Sequence, residues 1–214
     1  MTELTFIRHG ETDWNRQQRF QGQIDVPLNA AGHAQAARLA RRLGPHPADV
    51  LLSSDLLRAR ETAAPLARAW GQTAATVPGL REQSFGIWEG LDVATIKSRH
   101  GKLWQDWIEH HGDFALPQGE SLNQFHSRVM GAVREIAGTH AGRSVTVVTH
   151  GGVLDMLWRT AKGLPLAGLR ECAIPNTGLN RLRWTAGKLH IDGWADDQHL
   201  EGLPDQAATA AGER

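Results

Sequence analysis

Leu4-Thr5-Phe6-Ile7-Arg8-His9-Gly10-Glu11-Thr12 is the stretch on which the fold turns. Its first four residues are apolar or β-branched and read as a short buried strand. That strand stops at a cation, an imidazole and a glycine, with Asn15 one turn further on. A histidine at a strand end can act as a nucleophile if its ring is fixed in one tautomer and a neighbouring cation holds the electrophile. Arg8 supplies the cation, and Gly10 permits close backbone approach to the ring. An isolated Arg-His pair would be read as a charged strand end turning into a loop.

Outward from this strand, apolar runs and helical periodicities alternate. Asn29 is a good N-cap for a helix with Ala36, Leu39, Ala40 and Leu43 on one face, stopped by Gly44 and two prolines. Asp49 to Ser53 is a second strand, followed by Ser54 and Asp55 as cap candidates for a helix carrying Ala59, Ala63, Leu66 and Trp70 inward. Pro65 is expected to kink or divide that helix. A weaker strand is expected at 73–77. Ser121 with Gln124 makes a capping-box signature for a helix burying Leu122, Phe125, Val129, Val133 and Ile136.

Val145 to Val148 is the clearest strand; it runs into Thr149-His150-Gly151-Gly152 and a helix with Val153, Leu154, Leu157 and Ala161 inward. Segments 178–184 and 188–193, with Ala186-Gly187 between them, read as an edge hairpin able to pair across a homodimer. Residues 81–120 are irregular and rich in Trp, His and Gly, with one helix opening at Asp92. Such a length points to a lid-like insertion. Trp104 and Trp107 fit a helix burying its aromatic face. The alternation predicts an α/β fold, a three-layer α/β/α sandwich with a mostly parallel central sheet. One domain is expected over 1–203, with a disordered Ala-rich tail at 204–214. Ligands of such sheets sit beyond the carboxyl ends of the strands, where residues 8–10, 53–58 and 149–151 all fall.

Composition narrows the partners. Lys plus Arg and Asp plus Glu number 23 each, so no global field favours nucleic acid or an anionic membrane, and an anion site must be local. Cys172 is the only cysteine, which excludes an internal disulfide and multi-cysteine metal sites and fits a cytoplasmic protein. The sequence from Met1 has neither a secretory leader pattern nor a run of membrane-spanning length.

The Arg8 to Thr12 run resembles the signature of the histidine phosphatase superfamily, the phosphoglycerate mutase-like family. A five-residue match arises by chance on the order of once in ten thousand chains this long. Further resemblances follow in order from Thr2 to Trp194. Ser53 to Thr62 is similar to the second arginine segment, Glu82 to Gly90 to the acid segment, and Thr149-His150-Gly151-Gly152 to the second histidine.

The resemblance implies a phosphoric monoester hydrolase acting through a phosphohistidine on His9, with no metal and no cofactor. Arg8, Arg58 and His150 would neutralise the phosphate, Arg58 from the first turn of its helix. Glu82 would be the general acid, since the charge of a bound phosphate favours a carboxyl that keeps its proton. Glu89 is the competitor, assigned a supporting role. Asn15, Gln21, Gly22 and Glu120 are candidate substrate-pocket positions, although Glu120 could equally favour the start of the helix that Ser121 caps.

Two alternatives share this family likeness. A mutase dependent on 2,3-bisphosphoglycerate typically carries a Tyr just after the acid segment and a Lys soon after. Phe85 and Val93 occupy those places here, and the chain has no Tyr. A non-catalytic module that binds a phosphorylated ligand would be expected to lose a charged catalytic position, and none is lost. The chain lacks a His-Glu-x-x-His pair, a phosphate loop ending Gly-Lys-Ser/Thr, and a Gly-x-Ser-x-Gly elbow. The His100, His110 and His111 group fits no common metal spacing and reads as a solvated polar face. A small phosphate ester is the expected partner.

Overall fold

The computed structural model describes residues 1–45, 47–109 and 112–203. The tail from Pro204, and His110 and His111 of the histidine group, lie outside the described residues. In chain order the elements are β1 (Thr2–Arg8), α1 (Asp13–Arg16), α2 (Ala30–Leu43), β2 (Val50–Ser53), α3 (Leu57–Trp70), β3 (Ala75–Thr76), α4 (Val93–Arg99), α5 (Gly101–Glu109), α6 (Leu122–Thr139), β4 (Ser144–Thr149), α7 (Gly151–Lys162), β5 (Leu179–Thr185) and β6 (Lys188–Asp196).

Six strands form one sheet in the order β3-β2-β4-β1-β5-β6. β1 to β4 run parallel, and β5 alone opposes its neighbours. Strand side chains alternate between faces, and here both faces are apolar. Leu4 and Phe6 of β1, Leu52 of β2 and Val145 and Val147 of β4 join α6 and α7 in one core. Ile7, Leu51 and Val148, the residues between or beside them, pack with α2 and α3 in a second core on the opposite face. Two cores separated by one sheet make the three-layer α/β/α sandwich.

Helix ends follow local chemistry where their side chains are not needed elsewhere. The Asn29 side chain accepts from the Gly32 amide to open α2, and Ser121 and Gln124 cap α6 reciprocally. The start of α3 corrects the sequence reading. Its N-cap is Leu56, without a side-chain bond, because Asp55 is paired with Arg81 and Ser54 contacts the His150 ring at 2.8 Å. Nor does Pro65 divide this helix, which continues from Leu57 to Trp70. Complete burial of Ala59, Ala63 and Leu66 offsets the amide bond that proline cannot make.

The segment after Glu82 builds a third apolar cluster from Phe20, Phe85, Trp88, Ile96, Trp104, Trp107 and Leu116. Trp88 is its centre, with ring centroids 5.7 Å from Trp104 and 5.4 Å from Trp107. Asp92 caps α4 as its position suggests, accepting from the Thr95 amide. The segment is therefore a packed flap, and its Phe85, together with Phe20 on which it packs, lines the cleft described below.

Trp88 has no exposed surface, so Trp88→Ala should destabilise the protein by about 3–5 kcal/mol in denaturant unfolding. A loss below about 1 kcal/mol would show that this cluster is not a packed core.

Candidate active site

Strand register explains why two histidines meet. β1 and β4 are parallel neighbours with Arg8 opposite Thr149, so the next residue of each strand, His9 and His150, emerges at the same edge. Their ring centroids lie 5.3 Å apart. β2 flanks β4 with Ser53 opposite Val148, which brings Ser54 and the start of α3 to the same rim. A cleft of about 520 Å³, counting its open mouth, lies there, lined among others by Arg8, His9, Arg58, Glu82, Gly151 and Gly152.

The His9 ring is fixed by its own loop. Its Nδ1 lies 2.7 Å from the Gly10 carbonyl oxygen, which can only accept, so the proton sits on Nδ1 and Nε2 keeps its lone pair. Burial, followed by the positive charges of Arg58 and then Arg8, holds this imidazole well below its ordinary pKa of 6.5. It is a buried, neutral, oriented ring between two guanidiniums.

Those guanidiniums are only partly satisfied. Arg58 donates to the Ile24 carbonyl at 2.9 Å and the Gly22 carbonyl at 2.8 Å, and its buried Nε has no partner. Arg8 donates to the Ile174 carbonyl at 2.7 Å, and its Nε is likewise buried without a partner. Burial pushes Arg8 down to about 9, with Arg170 the next cause, and pushes Arg58 down to about 10. Both remain cationic at neutral pH, so the site concentrates positive charge that a bound anion would relieve. His150 is also held well below 6.5, by burial first and Arg58 second. Its Nε2 lies 2.8 Å from the Ser54 hydroxyl, and its Nδ1 is a buried atom with no partner.

Glu82 sits at the head of α7, its carboxylate accepting from the Gly152 amide at 3.0 Å and the Gln83 amide at 2.9 Å. A Cβ at Gly152 would collide with the Glu82 Oε1, so a larger residue there would displace this carboxylate. Arg128 fixes the approach of this carboxylate, donating to the Gly79, Arg81 and Glu82 carbonyls. Glu89 lies off the cleft and accepts from the Gln23 and Phe85 amides, tying the flap to the 22–23 turn.

The remaining candidates divide. Asn15, Gln21 and Gly22 line the cleft, and the Gln21 Oε1 is buried without a partner. Asn15 also closes the capping box of α1 with Thr12. Glu120 does not line the cleft: it pairs with Arg128 and accepts from the Ser84 amide, so it supports the Glu82 segment from behind. Gly10 serves two close approaches: its carbonyl oxygen lies 2.7 Å from the His9 Nδ1, as expected, and a Cβ there would strike the Gly32 carbonyl oxygen at 2.7 Å, so glycine also lets α2 come close.

Several supporting residues were not singled out in the sequence. Thr62 accepts from the Gly10 amide at 2.9 Å. The Thr177 amide donates to the Arg8 carbonyl at 2.9 Å and the Asn176 side chain to the His9 carbonyl at 2.8 Å. Thr177 holds a φ of 57°, a conformation a β-branched residue rarely adopts, where its amide meets the backbone just before His9. The turn-like Pro175-Asn176-Thr177-Gly178 was the available signal. Arg19 and Arg170 also line the cleft. Among the described residues, no group of three His, Cys, Asp or Glu side chains is arranged to hold a metal ion, and no helix is long and apolar enough to cross a membrane.

With this geometry in place, the family follows from comparison. Residues 4–197 match the model of the histidine phosphatase superfamily (branch 1), and the chain belongs to that family. It is 35% identical over 206 residues to the metal-independent phosphoserine phosphatase of Arabidopsis thaliana, covering 95% of this chain and 85% of that one. Phosphoglycerate mutase-like protein 4 of the same plant is 37% identical over 203 residues, covering 93% and 87%. A mycobacterial glucosyl-3-phosphoglycerate phosphatase solved with VO3 superimposes with a TM-score of 0.79 at 31% identity, covering 91% of this chain and 98% of that one.

The two depressed histidines carry a stability signature. Both rings are neutral when folded but bind a proton when unfolded below about pH 6.5. Stability is therefore fully present above that pH and lost as pH falls toward the depressed native values, by roughly 1.4 kcal/mol per pH unit per ring. Urea unfolding of His9→Gln should show a pH slope between about 6.5 and 5 that is shallower by about one ring's share. An unchanged slope would mean that His9 is not buried neutral.

Proposed function

We propose that the protein hydrolyses a phosphate monoester of a small metabolite through a phosphohistidine on His9. The observation that carries this reading is the neutral imidazole, with Nδ1–H given to the Gly10 carbonyl and a lone pair left on Nε2, flanked by two buried guanidiniums. In the first step Nε2 attacks phosphorus in line. A P–N bond forms, the ester P–O bond breaks, and Glu82 gives its proton to the departing alkoxide.

Water then attacks phosphorus, Glu82 takes the water's proton, and the P–N electron pair returns to Nε2. Arg8, Arg58 and His150 neutralise the equatorial oxygens, where charge is concentrated throughout. Gln21, Asn15 and the turn at Gly22 face the leaving group. The family and the phosphatases among its relatives support this reaction.

The mutase reading differs only in the fate of the phosphohistidine, and a relative with a mutase-like name keeps it in play. Phe85 on the cleft wall favours hydrolysis, because it stands where mutases typically carry a Tyr and offers no hydroxyl to hold a sugar acid for phosphate return. Val93 packs against the flap core instead of the cleft.

His9→Ala should lower turnover on the best ester of a phosphometabolite screen by on the order of 10⁴-fold, while a chelator leaves the wild type unchanged. Phosphate release should exceed mutase turnover in an assay primed with 2,3-bisphosphoglycerate. Activity surviving in His9→Ala, or abolished by the chelator, contradicts the mechanism; mutase turnover in excess transfers the protein to the alternative reaction.

A further inference from the structure

Beyond β6 the chain runs back along α2 as a short strap. Arg42 of α2 pairs with Asp196 at 2.7 Å and donates to the Gln198 side chain at 3.2 Å. One turn earlier in the helix, Arg38 donates to the Glu201 carbonyl at 2.6 Å. The strap contains a helical turn, Gln198–Leu200. None of its side chains takes part in the proposed reaction.

On its inner side the strap meets residues 176–180. The Ala195 amide, at its root, donates to the Asn180 Oδ1 at 3.0 Å, and the His199 Nε2 lies 3.1 Å from the Thr177 Oγ1. A hydroxyl can donate or accept, so this second bond stands in either tautomer of the ring. Residues 176–180 in turn hold the end of β1. The Asn180 side chain donates to the Phe6 carbonyl at 3.1 Å, the Thr177 amide to the Arg8 carbonyl at 2.9 Å and the Asn176 side chain to the His9 carbonyl at 2.8 Å.

These bonds fall on both peptide units that flank the His9 ring. The Arg8–His9 peptide is held by Thr177 at its carbonyl and by the Thr149 carbonyl at its amide. The His9–Gly10 peptide is held by Asn176 at its carbonyl and by Thr62 at its amide. One clamp on each peptide therefore comes from the segment that the strap grips. Thr177 has a φ of 57° and Ala195 one of 55°, and a residue with a Cβ keeps such a backbone only where its surroundings over-determine it. Relaxation of Thr177 to a negative φ would turn Asn176 relative to Asn180, so that their bonds to β1 could not both persist.

We propose that His199 is a positioning residue for His9. From the strap it holds Thr177 in its left-handed conformation, and through Thr177 and Asn176 it holds the two peptides that orient the nucleophilic ring. This rests on the reading of His9 as the nucleophile.

The test pairs nitrogen-15 spectra of histidine-labelled protein with kcat and KM on the best ester, the His9 signals being assigned by their loss in His9→Gln. In the wild type the two His9 ring nitrogens should have the well-separated shifts of one neutral tautomer. In His199→Ala they should move toward each other as the tautomers exchange, with kcat lower by about 10–100-fold and KM within about threefold. Thr177→Gly keeps the amide, loses the hydroxyl and suits the left-handed backbone, so it should fold and show the same changes. The double variant should lose no more than the larger single loss, and His199→Gln, which can bond the hydroxyl again, should recover most of kcat.

Unchanged His9 shifts and kcat in Thr177→Gly overturn the inference whatever His199→Ala does, since a strap that only stabilises the fold would lower stability alone. No hydrolysis of any ester by the wild type overturns the phosphatase reading. Ring shifts that still respond to His199→Ala and Thr177→Gly would then leave the positioning of the ring standing.

Discussion

The hydrogen bond from the His9 ring to the Gly10 carbonyl is the constraint on which the site depends. An imidazole free to rotate or exchange tautomers would present a lone pair only part of the time. One protonated between two guanidiniums would present none. The bond fixes which nitrogen is the donor, while burial and the two cations exclude the second proton. In the proposed reaction the same cations that keep the ring neutral are the groups an incoming phosphate would meet, so one arrangement would prepare the nucleophile and attract its electrophile.

Much of the fold serves to hold that arrangement against its own repulsion. Two buried arginines near two histidines would be costly without carbonyls to receive their N–H groups. The Gly22 to Ile24 turn receives Arg58, and the loop ending at Ile174 receives Arg8. The backbone on either side of His9 is clamped by Thr62, Asn176 and Thr177, the last at the expense of a left-handed backbone. Glu82 is brought to the cleft by Arg128, which is itself anchored by Glu120. The elements supplying these contacts lie far apart in sequence and meet only because the parallel strands end at one rim.

That distance decides what could be read before the structure was known. The layers and the core were legible because alternation in Leu4 to Ile7 and Val145 to Val148 and the helical spacing around Ala59 and Val129 are local patterns. The five residues at the centre of the site were legible because they sit in compact motifs. The cap of α3 was misread because Ser54 and Asp55, good caps by local preference, are drawn off to His150 and Arg81. Thr62, Asn176 and Thr177 act through backbone atoms tens of residues away, and no local pattern marks such contacts. Glu120 stood at the right end of the right helix, and only the third dimension turned it from the cleft toward Arg128.

The most direct measurement is the position of the phosphoryl group on the trapped enzyme. Rapid acid-free quenching during turnover, followed by peptide mass spectrometry and phosphorus–nitrogen coupling in histidine-labelled protein, locates the bond. The account predicts one phosphoryl group on His9, attached to Nε2. Attachment at Nδ1, on another side chain, or nowhere in an enzyme that is turning over would contradict it.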